Sequence, residues 1–354
     1  MAAHGNQAAR EEPDYVEAST VERGTYFFQP KVGEVRLGCA VGRRSSTSKH
    51  RLKGGLMAQR ADQIRQNRKW KYLSFGPPKG AGKTSFAMTA PGNKLVLQYD
   101  LGSTTIPPGV NPQTVWVQDY PETDRKVLNG QKDKWNRSKV NYEHVIKDLD
   151  AVVESFEAGK QEITFWDGTK APLPDTLILD GLVRLDTIIV DGFCAINNIC
   201  DPGDAMDSKG KVGGGTQKFW GRRLSNISKM FSLVISLPCN VAALTWEDIK
   251  MVKDDFGNIV SQTKEPDIGG KLNVWGPGLF DGCIYQYSAG GKYYVRTQST
   301  PEIQRVGFRD AYGFDALIDV TIDPKKPDPI LPFEKVFGKV VDMNNVQAMQ
   351  KLAG

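Results

Sequence analysis

The chain has 354 residues, 40% of them hydrophobic and 25% charged, with five cysteines, three histidines and a net charge of +5. That length supports a sizeable core without disulfide or metal staples, and the composition is ordinary for a globular protein. No CxxC pair points to structural zinc, and no apolar run of about 18 residues points to a membrane span.

The polar first residues lack the apolar segment of a secretory signal, and scattered cysteines, odd in number, suit reduced thiols in a cytoplasm. Charge is unevenly spread. Residues 43–71 hold ten basic side chains, Arg43 and Arg44 among them, against the single acid Asp62. A basic stretch of this kind on a near-neutral body fits an anionic polymer as partner.

In chain order, residues 1–42 read as a weakly structured arm and 43–54 as a Ser- and Lys/Arg-rich loop. Residues 55–69 read as a short basic helix. A short strand at 72–75 runs into a Gly/Pro cluster, and a helix over 83–89 stops at Pro91-Gly92. Strands follow at 95–100 and 115–117. Residues 141–158 carry Tyr142, Val145, Ile146, Leu149, Val152, Val153 and Phe156 at 3/4 spacing, which predicts a helix capped by Asn141 and stopped by Gly159. Two similar runs, TLILDG at 176–181 and TIIVDG at 187–192, each read as a strand ending in Asp-Gly. A long loop over 201–215 precedes a helix over 217–234 and a buried strand over 241–245. Residues 253–278 read as a polar, Gly-rich loop. Segments 283–288 and 292–297 flank Ala-Gly-Gly and predict a hairpin. After Asp323 a Pro-rich tether leads to a short C-terminal helix.

Strands alternating with helices imply an α/β fold, with a mostly parallel sheet covered on both faces and an antiparallel hairpin extending one edge. The expected organisation is an arm over 1–70, a core over 71–322, and a tether with a terminal helix over 323–354.

The strongest chemical signal is Gly76-Pro77-Pro78-Lys79-Gly80-Ala81-Gly82-Lys83-Thr84-Ser85, which follows a strand and opens a helix. Glycines let backbone N–H groups turn inward around phosphate oxygens at a helix N-terminus. Lys83 would then reach the β- and γ-phosphates of ATP, and the Thr84 hydroxyl would ligate Mg²⁺. The spacing departs from the standard loop: Pro77 stands where the first glycine is expected, so the loop is one residue longer or begins at Pro77.

Such a site also needs an acid at the end of a neighbouring strand to hold the metal's water shell. Asp191 and Asp180 both qualify by pattern. They lie too close for both to end neighbouring parallel strands, since a crossover needs a dozen residues or so. Asp191 is preferred, because a full apolar run precedes it, and Asp180 is the alternative. Asp100, at the end of the strand after the loop helix, is placed to orient or deprotonate an attacking water. Thr245, ending the strand before Trp246-Glu247, is a candidate reporter of the γ-phosphate.

At these residues the sequence resembles the RecA-like P-loop ATPases of bacteriophages associated with single-strand annealing and recombination. The resemblance spans roughly 70–310 and rests on GPPKGAGKTSFA at 76–87, KLVLQYD at 94–100, DTIIVDG at 186–192 and PCNVAALTWED at 238–248. It implies a RecA-type core using ATP and Mg²⁺, homo-oligomers with ATP between subunits, single-stranded DNA as partner, and a single-strand annealing protein nearby. By position it makes Lys83 and Thr84 the phosphate and metal contacts, Asp191 the Walker B acid and Asp100 the catalytic acid. Such cores usually carry Glu at that last position, so the shorter Asp100 allows slow hydrolysis. The setting implied is the cytoplasm of an infected bacterium, with no membrane.

Three segments are candidates for DNA: 43–71; 125–139, with Lys132, Lys134, Trp135 and Arg137; and the loop 208–218, with Lys209 and Lys211. Basic groups track phosphates while an aromatic ring stacks on a base. Lys264, Lys271 and Arg296 are candidates for reaching a neighbouring subunit's γ-phosphate. Competing readings are a nucleotide-gated DNA-binding scaffold with little turnover, and another kind of P-loop motor.

Overall fold

The computed structural model describes residues 69–100, 105–120, 131–199, 202–206, 209–269, 272–309, 314–323, 325 and 330–338. By contacts the chain divides into Met1–Met57 and Ala58–Gly354, and every described residue belongs to the second unit. The arm, the basic helix over 55–69 as far as residue 68, and Arg43 and Arg44 lie outside the described residues.

Strand β1 (Lys71–Gly76) is buried along its whole length. It runs parallel to β7 (Asn240–Lys253) on one side and to β9 (Gly282–Ala289) on the other. β7 in turn pairs with β6 (Thr176–Asp180), β6 with β2 (Lys94–Gln98), and β2 with β3 (Val115–Asp119), all parallel. Sandwiched strands need no polar face, which is why KYLSF and KLVLQ read as near-continuous apolar runs. Beyond β9 the sheet turns antiparallel, through β10 (Lys292–Arg296) and β12 (Leu317–Asp319), with β11 (Gly307–Phe308) also antiparallel to β9, while β4 (Glu162–Thr164) and β5 (Lys170–Pro172) form a separate antiparallel pair. The β9–β10 turn uses Gly290 and Gly291, both at positive φ, as a tight hairpin requires.

One sheet face carries Leu73, Phe75, Leu97, Leu177, Leu179, Val241 and Ala243. Against it pack α2 (Gln131–Glu157), α3 (Leu182–Ile196) and α4 (Thr216–Ser236). The opposite face carries Tyr72, Val96, Ile178, Ala242 and Leu244, covered by the short α1 (Lys83–Met88) and by Phe314, Phe333 and Phe337. The segment read from sequence as tether and terminal helix thus supplies core side chains, from a single π-helical turn at Glu334–Gly338.

Three elements differ from expectation. TIIVDG is not a strand: residues 187–192 lie inside α3. Its β-branched composition resembles a strand, but Leu182, Leu185, Ile188 and Ile189 are spaced for one face of a helix, and that face is buried. The first strand-like run is the real one, β6. Second, α2 begins ten residues before Asn141, because QKDKWNRSKV has no apolar periodicity; the pattern starts only where the helix meets the core at Val145, Leu149 and Val152. Third, the expected loop over 253–278 contains β8 (Ile259–Asp267), antiparallel to the outer half of β7. This ribbon is solvated on both faces, with Met251 and Val260 exposed and Phe256 90% exposed at its turn, so no alternation marks it.

Candidate functional site

The carboxyl ends of β1, β2 and β6, with the middle of β7 at Leu244–Trp246, surround a cavity of about 860 Å³. The loop after β1 forms one wall, through Pro78, Lys79, Gly80, Ala81, Gly82, Lys83, Thr84 and Ser85. Gly80 and Gly82 have φ of 74° and 75°, the left-handed region that glycine enters without a Cβ penalty. Gly76 is different. It ends β1, buried, and lies outside the cavity lining. A Cβ there would stand 2.0 Å from the Gln286 carbonyl oxygen on β9. Its lack of a side chain serves strand packing, and Lys83 Nζ donates to the Pro77 carbonyl at 2.5 Å and to the Gly76 carbonyl at 3.5 Å.

Asp180 lies opposite the loop, at the end of β6. The Thr84 hydroxyl donates to its Oδ2 at 2.8 Å. Asp191 stands on α3, past the strand end, and is absent from the cavity lining. The preferred assignment of the strand-end acid to Asp191 is therefore corrected to Asp180. Hard oxygen donors from Thr84 and Asp180, adjacent and facing the cavity, fit Mg²⁺, with phosphate and water oxygens filling the remaining positions. Bound there, Mg²⁺ would neutralise phosphate charge and polarise the phosphoryl oxygens.

Asp100, just beyond β2, also lines the cavity. Burial first, and then the Asp180 charge, push its pKa up to about 6. Lys83, Arg184 and the Trp246 indole N–H oppose that rise. Burial holds Lys83 down at about 8, against the attraction of Asp180, Asp100 and Glu247. Asp180 is likewise raised by burial, offset by the Thr84 hydrogen bond and by Lys83. A half-desolvated lysine amid carboxylates is a charge arrangement set to receive phosphate.

Sequence reasoning missed four contributors. Gly181 caps α3 at φ 97°, and a Cβ there would lie 2.6 Å from the Asp100 carboxyl carbon. Arg184, on the first turn of α3, lines the cavity, as does Trp246. Tyr293, from β10, also lines the cavity, with its ring beside Gly82. The Gly after Asp180 was the only local signal for the first; the others are brought in by topology. Thr245 does line the cavity, and its hydroxyl donates to the Asp267 carbonyl.

The polymer-binding candidates are dispersed. Lys132, Lys134, Trp135 and Arg137 fall on the first two turns of α2. Lys209 and Lys211 are exposed ahead of α4. Lys71, counted in the basic stretch, is instead internal: its ammonium donates to the Leu237 and Cys239 carbonyls. Lys264 is engaged within its own chain, 3.4 Å from Glu247 and 3.2 Å from the Tyr285 hydroxyl. Lys271 lies outside the described residues, and Arg296 ends β10.

Were Asp100 the group that orients the attacking water, it would set the free-enzyme pH profile. With its carboxyl titrating at about 6, kcat/KM for ATP hydrolysis should climb through pH 6 as the carboxylate forms. Steady-state rates between pH 5 and pH 8 check this, since about two pH units either side cover the titration. An unchanged acid limb in Asp100→Asn would assign it to another group.

No curated protein matches the chain. A family profile described as AAA domain (AAA_24) matches residues 68–305, which takes in the loop, Asp100, Asp180 and Tyr293. With the loop, the strand-end acid and the parallel sheet in these positions, the chain belongs to the AAA-domain family, and its core is a P-loop ATPase domain of AAA type.

Proposed function

We propose that this chain hydrolyses ATP with Mg²⁺ and couples the turnover to single-stranded DNA, as a homo-oligomer with ATP between subunits. The observation that carries hydrolysis is the convergence of Lys83, Thr84, Asp180 and Asp100 on one cavity. Lys83 and the loop N–H groups hold the phosphates, Thr84 and Asp180 hold the metal, and Asp100 orients the attacking water. DNA is supported by charge: the basic stretch at 43–71, the Lys/Arg-rich start of α2 and the exposed Lys209 and Lys211. The resemblance to phage recombination ATPases supports a place beside a single-strand annealing protein, in the cytoplasm of an infected host. A second reading, a nucleotide-gated DNA-binding scaffold, draws on Asp100, whose carboxyl is one methylene shorter than the usual glutamate.

Phosphate release from Mg-ATP, with and without a single-stranded oligonucleotide, separates these readings. The expected result is release stimulated by the oligonucleotide, abolished in Lys83→Ala, and lost steeply as salt rises, because counterion release drives binding to phosphate backbones. Binding of ATP and DNA with no release above the Lys83→Ala level selects the scaffold. No effect of DNA at low salt removes DNA from the proposal.

A further inference from the structure

We infer that Tyr293 is the platform on which the base of the bound nucleotide stacks. This rests on the reading of the cavity as an ATP site. The strand order supplies the argument. β1, which leads into the phosphate loop, has β7 and then β6 on one side, and β9 and then β10 on the other. Asp180 ends β6 and bonds Thr84, so the metal and the terminal phosphate belong on that flank. Asp100 and the Trp246 indole that hydrogen-bonds it belong there too. A phosphate chain lying over the loop must then leave its nucleoside toward the β10 flank, where Tyr293 stands.

Its ring is already against the loop. A Cβ placed on Gly82 would meet the Tyr293 ring at 2.9 Å. The residue is 42% exposed and borders the cavity, and its ring rests on the loop at Gly82, so surface remains for a ligand. Of the two aromatics in the cavity lining, Trp246 is held on the acid flank by its N–H bond to Asp100, and Tyr293 is the one on the flank where the nucleoside leaves.

The platform is also held still. Tyr293 N–H donates to the Thr321 hydroxyl at 2.9 Å, and Val320 N–H donates to the Tyr293 carbonyl at 2.9 Å. One residue before it, Lys292 pairs with Asp319 at 3.3 Å. The hairpin is therefore tied on its outer edge to the 317–321 segment. A ring carried on a tethered strand loses less conformational freedom on binding than one on a free loop, which favours stacking affinity.

Calorimetric titration of the full chain with Mg-ATP and with Mg-tripolyphosphate tests this, because tripolyphosphate has the phosphates and no base. Wild type should bind ATP more tightly than tripolyphosphate. Tyr293→Leu, which keeps bulk and removes the π-face, should weaken ATP binding by about tenfold and leave tripolyphosphate unchanged. Tyr293→Phe should bind both as wild type does. Lys83→Ala should lose both. Retained tripolyphosphate binding in Tyr293→Leu shows the site still folded. Equal losses for both ligands in Tyr293→Leu, no loss for ATP, or equal wild-type affinity for the two ligands would overturn the platform alone. If wild type binds neither ligand, the ATP reading falls and the platform with it.

Discussion

Asp180→Asn should lower ATP turnover by about two to three orders of magnitude, the range that loss of one preorganised charged or polar group costs an active site. Asparagine preserves the volume and still accepts the Thr84 hydrogen bond, now held at 2.8 Å, so the loop should keep its place. What disappears is the negative charge. That charge is needed beside Mg²⁺, and it is the largest attraction keeping Lys83 protonated against burial. Two effects therefore add: weaker metal retention, seen as a higher Mg²⁺ requirement, and a lysine that deprotonates at lower pH. Asp191→Asn, on the middle of α3, should leave turnover within about twofold, as substitutions away from a site do. Steady-state phosphate release over a magnesium series compares the two. The reverse pattern, with Asp191→Asn dead and Asp180→Asn active, would show that α3 does not occupy the place described.

The second large effect concerns folding. Gly76→Val should destabilise the protein by about 3 kcal/mol or more, because overpacking against main chain has no flexible atom to yield. The added Cβ would lie 2.0 Å from the Gln286 carbonyl oxygen, and β1 and β9 would have to separate. Gly80→Ala is the control. Its Cβ meets nothing within 4 Å, and only the φ of +74° is unfavourable. That change should cost about 1–2 kcal/mol, the left-handed penalty for an L-residue. Thermal unfolding of the two variants, side by side without nucleotide, measures the difference. Equal midpoints would mean that the close approach of β1 and β9 is relaxed in solution, and Gly76 would return to the phosphate loop.

The phosphate loop was legible because it is local: glycines, lysine and threonine act through the backbone they sit on, and a strand-loop-helix context is visible in a dozen residues. The parallel core was legible because the sandwiched strands carry apolar stretches such as Leu95–Leu97 and Leu177–Leu179. Asp180 against Asp191 was harder, since both follow an aliphatic run and precede glycine. The deciding information lay further along, in the 3/4 spacing from Leu182 to Ile189. β8 left no mark because a ribbon wet on both sides gains nothing from alternating its side chains. Tyr293 and Gln286 come from strands more than 200 residues after the loop, and only strand order brings them to it. The Gly76 case shows a correct residue with a misread cause: glycine was required there, but by a neighbouring strand.

The last described turn, Glu334–Gly338, bears on where a working fragment of this protein can be cut. The match to the family profile ends at residue 305, yet water is kept off Trp70, Tyr72 and Phe86 by Phe314, Phe333 and Phe337, which come later. Phe333 N–H even donates to the Thr89 hydroxyl, at the end of the helix that follows the phosphate loop. A family boundary records what kin have in common; a solubility boundary is drawn by what must stay dry. In this chain the buried aromatics carry the second past the first, at least as far as Phe337. An expression fragment trimmed to the shared region would present an aromatic face to solvent beside its own catalytic loop, and its aggregation would say nothing about the enzyme.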